Sequence, residues 1–144
     1  MYLADTNVIS AGAPTKPHAH DDLRAWLHAH ADRIYLSVVT VAEIAAGIAK
    51  SQRLGHAAKA ERLSRWLAAL TGAYGTRILP VDSDTALIAG QLIDDARASA
   101  PDFADIAIAA TARQHGLTLL TRNVADFAAL PIPIVNPFDR LPEA

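Results

Sequence analysis

Short apolar runs alternate along the chain with longer stretches in which apolar residues recur at helical spacing. The apolar runs predict strands at residues 2–4, 34–39, 77–81, 117–120 and 132–135. The helical spacing predicts helices at residues 21–30, 40–50, 56–74, 82–99 and 102–115, with a loop at 12–17. Strands that alternate with helices are typical of a parallel sheet covered on both faces. We therefore expect an α/β protein with three layers, in which a central parallel sheet of four to five strands lies between helices.

The helix that contains Asp105 and the strand that follows it are joined by a turn at Gly116. From Asp105 to this turn the helix rises roughly 15 Å, and the strand returns roughly 17 Å. Because the two lengths match, Asp105 should lie level with Asn123 and Asp126, which follow the strand.

Two more acidic residues follow predicted strands. Asp5 comes directly after the first strand, and Glu43 lies in the first turn of the helix after the second strand. Since the carboxyl ends of parallel strands share one edge, where open α/β sheets place their ligands, these groups should gather with Asp105. Crowded carboxylates repel one another unless they are protonated or hold a cation. Carboxylate oxygens without cysteine suit Mg²⁺ or Mn²⁺.

Helix capping is the alternative explanation for several of these residues. A capping box satisfies free N–H groups at a helix start with two polar side chains three positions apart. The pattern occurs at Thr40-x-x-Glu43, Asp102-x-x-Asp105 and Asn123-x-x-Asp126. For any single pair a cap is the simpler explanation, but capping gives no reason for the acids to share one edge.

Composition and length narrow the class of protein. The 144 residues are enough for one good core, and we expect a single domain over residues 1–144. Apolar residues make up 51% and charged residues 19%, as in a globular protein. The net charge of −2 gives no general attraction to nucleic acid or membrane, so a polyanion would have to be held locally.

The absence of cysteine excludes disulfides and thiolate metal sites. Without a leader-like segment or a long apolar stretch, we expect a cytoplasmic protein.

Four short motifs together resemble the PIN-domain toxins of the VapC family, and most of all the FitB-like branch. They are Asp5-Thr6-Asn7, Thr40-x-x-Glu43, Asp105-x-x-Ile108-Ala109-Ala110-Thr111-Ala112 and Thr121-Arg122-Asn123-x-x-Asp126-Phe127. The resemblance extends from Tyr2 to Phe138. It implies a PIN-like fold and a Mg²⁺- or Mn²⁺-dependent ribonuclease, the toxin half of a toxin–antitoxin pair. It also implies a homodimer and a cognate antitoxin of the VapB or FitA type.

The family's acidic positions fall on Asp5, Glu43 and Asp105, which the resemblance makes the metal ligands. The fourth catalytic position is open between Asn123, where some members have an acid, and Asp126. The resemblance also suggests that the hydroxyls of Thr6 and Thr121 and the guanidinium of Arg122 support the site. Arg122 could contact phosphate, or it could be an ordinary exposed arginine.

Two other functions fit parts of the pattern. A phosphotransfer site with Asp5 as nucleophile generally has a second acid two residues on or a lysine near the late strands, but this chain has Asn7, and its last lysine is Lys59. A non-catalytic module that binds RNA or a partner protein is the other possibility, because Asn123 contributes no charge to a metal site.

Overall fold

The computed structural model describes residues 1–16 and 18–143, and across these residues it contains a five-stranded parallel sheet. The strands are β1 (Tyr2–Ala4), β2 (Ile34–Ser37), β3 (Ile78–Leu79), β4 (Thr118–Leu120) and β5 (Ile134–Val135). Each lies within a predicted strand, so the fold class is confirmed. Pro17, at the end of the predicted loop, and residue 144, at the end of the expected domain, lie outside the described residues.

The helices also follow the predicted pattern, with shifted ends. The predicted helices correspond to α2 (Asp21–Ala29), α3 (Val38–Arg53), α4 (Ala57–Tyr74), α5 (Ser83–Asp95) and α6 (Phe103–Gln114). Two helices of four residues, α1 (Thr6–Ile9) and α7 (Val124–Phe127), were not predicted. The second strand is shorter than predicted because Ser37 ends it by capping α3, its hydroxyl accepting the Val39 N–H at 3.1 Å. The helix therefore begins at Val38, two residues before the predicted start at Thr40.

The order of the strands in the sheet is β3-β2-β1-β4-β5. The chain adds β2 and β3 on one side of β1, and it then crosses over to add β4 and β5 on the other side. Residues Tyr2, Leu3 and Ala4 of β1 pair in register with Thr118, Leu119 and Leu120 of β4. A crevice opens at the carboxyl edge where the direction of strand addition reverses, and open α/β sheets bind their ligands there.

Alternating strand residues supply two hydrophobic cores, one on each face of the sheet. Ala4 and Leu120 pack with Leu23, Ile44 and Tyr74 of helices α2, α3 and α4 on one face. On the opposite face, Leu3 and Leu119 pack with residues of α5, α6 and α7, which include Leu92, Ile108 and Phe127. Because both faces are covered, the sheet edges and loops are the places where polar side chains can meet.

Among the described residues, no helix is both long and apolar enough to cross a membrane.

Candidate active site

Asp5 occupies the position directly after β1, at the carboxyl edge of the sheet. It is only 4% exposed, and it is the single buried carboxylate among the described residues. Its Oδ2 accepts a hydrogen bond from Thr121 Oγ1 at 2.7 Å, which ties the ends of β1 and β4 together. Its Oδ1 accepts the Thr6 N–H at 2.8 Å, and Asn7 Nδ2 donates to Oδ2 at 3.1 Å.

Burial raises the pKa of the Asp5 carboxyl above its ordinary value. The hydrogen bonds from Thr121, Thr6 and Asn7 act in the opposite direction, and the negative charge of Asp126 raises the pKa further. The fold thus holds Asp5 in one orientation, and no cationic side chain among the described residues forms an ion pair with it.

Glu43 lies on α3 and reaches the same edge. Its Oε1 accepts a hydrogen bond from Thr6 Oγ1 at 2.6 Å, and that hydroxyl is 3.1 Å from the buried Thr40 Oγ1. Thr6 therefore connects the first turn after β1 to the helix after β2. The Glu43 side chain itself is exposed, so a ligand can reach its carboxylate from solvent.

Asp105 lies in the first turn of α6 and is half-buried. Burial and the charges of Asp5, Asp126, Asp102 and Glu43, in that order of size, raise the pKa of its carboxyl to about 6. Repulsion from four carboxylates means that each of them lies within electrostatic range of Asp105. No hydrogen bond from the described chain offsets this repulsion.

Asp5 is the N-cap of α1, but capping does not account for Glu43, Asp105 or Asp126. Helix α3 begins at Val38 and is capped by Ser37, so Thr40 and Glu43 lie inside the helix. Asp102 and Asn123 hold the N-cap positions of α6 and α7, but neither side chain makes a capping hydrogen bond. The three capping boxes suggested by the spacing are therefore not formed. A capping box does form at Asp82 and Thr85, at the start of α5.

The residues after β4 divide into a buried and an exposed part. Thr121 is fully buried, and its hydroxyl both donates to Asp5 and accepts the Asn123 N–H at 3.1 Å. Asn123, Asp126 and Arg122 are exposed. Of the two candidates for the fourth position, Asp126 acts on the site through its charge, because it raises the pKa of both Asp5 and Asp105.

Asn7 is a site residue that the sequence did not single out. Its Nδ2 donates to Asp5 Oδ2, and its Oδ1 accepts the Arg122 N–H at 3.0 Å. Asn7 thus joins the acidic edge to the segment after β4. The only sequence signal is its place in Asp5-Thr6-Asn7, because its partner Arg122 is 115 positions away.

The chemistry of the donor set fits Mg²⁺ or Mn²⁺, since every candidate group offers a hard oxygen. Within the described residues, no lysine or arginine lies within ion-pair distance of Asp5, Glu43, Asp105 or Asp126. In the same residues, no three Asp, Glu or His side chains form a ready-made metal-binding group. Mg²⁺ commonly keeps several waters and uses one or two carboxylates, so a complete protein cage is not required for it to bind.

A parallel sheet with an acidic crevice where the direction of strand addition reverses defines a PIN-like class of α/β protein. The family model described as "PIN domain" matches residues 2–132. The chain is 37% identical over 146 residues to Toxin FitB of Neisseria gonorrhoeae, covering 96% of this chain and 99% of that protein. It is 33% identical to VapC ribonuclease Y4jK of Sinorhizobium fredii, again covering 96% and 99%.

A solved structure, FitAB bound to an IR36 DNA fragment, is similar with a TM-score of 0.76. That chain is 35% identical to this one, and the match covers 96% of both. The chain belongs to the PIN-domain family, and within it to the VapC toxins of the FitB-like branch.

Proposed function

We propose that this protein is the toxin of a type II toxin–antitoxin system and that it hydrolyses RNA phosphodiester bonds with the help of Mg²⁺ or Mn²⁺. The observation that carries the proposal is the group of carboxylates around Asp105, whose mutual repulsion no cationic side chain of the described chain relieves. A bound divalent cation would offset that repulsion and draw phosphate to an otherwise repulsive site. The similarity to a protein named VapC ribonuclease supports RNA as the substrate.

Asp5, Asp105 and Glu43 are the residues that would hold the metal. When bound, the ion supplies electrostatic stabilisation of phosphate and lowers the pKa of a coordinated water. Asp5 is pre-oriented by Thr121, Thr6 and Asn7, so it can present one fixed oxygen to a ligand. Glu43 and Asp105 are more exposed than Asp5, and Glu43 is held at the edge by the hydrogen bond from Thr6.

Asp126 and Asn123 are the remaining catalytic candidates. The carboxylate of Asp126 lies within electrostatic range of Asp5 and Asp105, and it could accept a proton from the attacking water. Asn123 could orient a water through its amide oxygen but cannot accept a proton. Thr6 and Thr121 act by holding Glu43 and Asp5 in place.

The expected partner is a small antitoxin of the VapB or FitA type, in keeping with the relative solved as FitAB on DNA. The toxin is expected to form a homodimer. We expect it to act in the cytoplasm.

The test is cleavage of a mixed single-stranded RNA substrate by the purified protein, first in EDTA and then with added Mg²⁺ or Mn²⁺. We expect cleavage only with metal, and its loss in Asp5→Asn and in Asp105→Asn. Asp32→Asn is the matched control, because Asp32 lies in the turn before β2, at the opposite edge of the sheet. Cleavage in EDTA, or cleavage that survives both site substitutions, would overturn the proposal.

A non-catalytic module is the second candidate. The observation that favours it is the lack of a ready-made metal-binding group among the described residues. Such a protein would bind RNA or its partner equally well with and without metal, and it would leave the RNA intact under every condition of the same experiment.

A further inference from the structure

A basic pocket lies beside the acidic edge, on the far side of Asn7. Its volume is about 190 Å³, and it is lined by Asn7, Ala11, Lys16, His20, Arg122 and Phe138. This volume is below the roughly 300–1,000 Å³ typical of sites for drug-sized ligands. The pocket is therefore suited to a small group, such as part of one nucleotide.

Arg122 is held in this pocket by two aromatic neighbours. Its guanidinium carbon lies 3.8 Å from the centroid of the Phe138 ring, in a cation–π contact. Its Nη2 donates to His20 Nε2 at 3.1 Å, and the His20 ring meets the Phe138 ring edge-on at 4.9 Å. Arginine has no acceptor atom, so His20 Nε2 must accept and the ring proton must lie on Nδ1.

These contacts leave the charge of Arg122 available. The side chain is exposed, and within the described residues neither Arg122 nor Lys16 forms an ion pair with a carboxylate. An exposed arginine ordinarily samples many rotamers, and ordering it on binding costs conformational entropy. Phe138 and His20 restrict those rotamers in advance, so an anion would meet a cation that is already oriented.

Asn7 couples the pocket to the acidic edge. One end of its amide donates to Asp5 Oδ2, and the other accepts the backbone N–H of Arg122. Thr121, the residue before Arg122, donates directly to the same Asp5 oxygen at 2.7 Å. A strand bound at Asp5 would therefore pass directly beside Arg122.

Simple packing is the competing explanation, because Phe138 also contacts the hydrophobic core on the α3 side of the sheet. Packing explains the position of the Phe138 ring. It does not explain why two cations, Arg122 and Lys16, line one small cavity without a carboxylate partner among the described residues.

We propose that this pocket is a nucleotide subsite for single-stranded RNA, in which Arg122 and Lys16 bind the phosphate next to the one that is cleaved. The inference rests on the proposed nuclease function and adds the binding residues that position the strand. Arg122 and Lys16 contact the substrate, whereas Phe138 and His20 are positioning residues that act through Arg122. Arginine and lysine are the side chains that most often contact phosphate oxygens in protein–nucleic acid complexes.

The test measures binding of a fluorescein-labelled single-stranded oligoribonucleotide by fluorescence polarisation. Ca²⁺ replaces Mg²⁺ in the buffer, and a gel verifies that the RNA stays intact. We expect Arg122→Ala to weaken binding about tenfold, as for loss of one charge-assisted hydrogen bond. The slope of log affinity against log salt should fall by about one for Arg122→Ala and for Lys16→Ala. Arg97→Ala, at an exposed arginine after α5, is the matched control and should change neither quantity.

The positioning role is tested by a double-mutant cycle. Phe138→Leu should weaken binding less than Arg122→Ala, and the double variant should bind no worse than Arg122→Ala alone, because Phe138 acts through Arg122. If Phe138 had only a structural role, its substitution would weaken binding further in the double variant. It would also lower the melting temperature. Unchanged affinity in Arg122→Ala and Lys16→Ala, with wild-type cleavage intact, would overturn the subsite alone. Absence of metal-dependent cleavage in the wild type would overturn the nuclease proposal itself.

Discussion

Asp105→Asn is expected to stabilise the metal-free protein at neutral pH while abolishing cleavage. Burial and four neighbouring carboxylates raise the pKa of the Asp105 carboxyl. No hydrogen bond from the described chain offsets this effect. Asparagine has nearly the same shape but no charge, so the substitution removes the repulsion without leaving a cavity.

The sign and size of the change in unfolding free energy follow from the pKa of Asp105. This pKa is about 6 in the folded protein against 3.8 in the unfolded chain. Between these values the folded state binds more protons, so the contribution of this group to stability falls as the pH rises from about 4 to about 6. At 1.36 kcal/mol per pH unit the upper limit is about 3 kcal/mol. Because Asp105 is half-exposed and water screens the repulsion, we expect about 1 kcal/mol.

The assay is urea denaturation of the wild type and Asp105→Asn in EDTA, at pH 7.5 and at pH 4. The variant should be more stable at pH 7.5, and the difference should nearly vanish at pH 4, where the wild-type carboxyl is protonated in the folded state. Added Mg²⁺ should stabilise the wild type more than the variant. Asp32→Asn serves as the control and should show no such pH-dependent gain. Destabilisation of Asp105→Asn at pH 7.5, or a gain that is the same at both pH values, would refute the reasoning.

Four further substitutions test the supporting structure. Thr121→Val removes the hydroxyl that donates to buried Asp5, and should cost about 1–3 kcal/mol of unfolding free energy in urea titrations; an unchanged stability would mean that this hydrogen bond contributes little. Ser37→Ala removes the cap of α3 and should cost about 1 kcal/mol of unfolding free energy. Asn123→Ala, at an N-cap position without a capping hydrogen bond, should cost far less. Equal losses of stability in the two variants would contradict the cap assignment. Leu92→Ala, at a fully buried core position, should cost about 2–5 kcal/mol and lower the melting temperature without changing metal dependence.

The order of strands and helices was readable from the chain because backbone geometry imposes its period locally. The strands show as apolar runs such as Tyr2-Leu3-Ala4, and the longer helices show helical spacing such as that of α4. Helices α1 and α7 have only four residues each, which is too short to display that period. The same periods predicted that Asp5 and Glu43 follow strands of a parallel sheet. Because the carboxyl ends of parallel strands meet at one edge, both residues were expected at that edge. Element ends were less predictable, because Ser37 and Thr40 are both plausible caps and only the three-dimensional path decides between them.

The tertiary structure alone decided which side chains touch. Asn7 and Arg122 are 115 positions apart, and Arg122 and Phe138 belong to segments that no local pattern connects. Likewise, the raised pKa of Asp105 depends on four charges drawn from separate parts of the chain. The sequence determined which residues could carry chemistry and at which edge they would gather, because strand and helix periods are local. Their hydrogen bonds, burial and mutual repulsion are through-space quantities, and they exist only once the sheet has brought distant segments together.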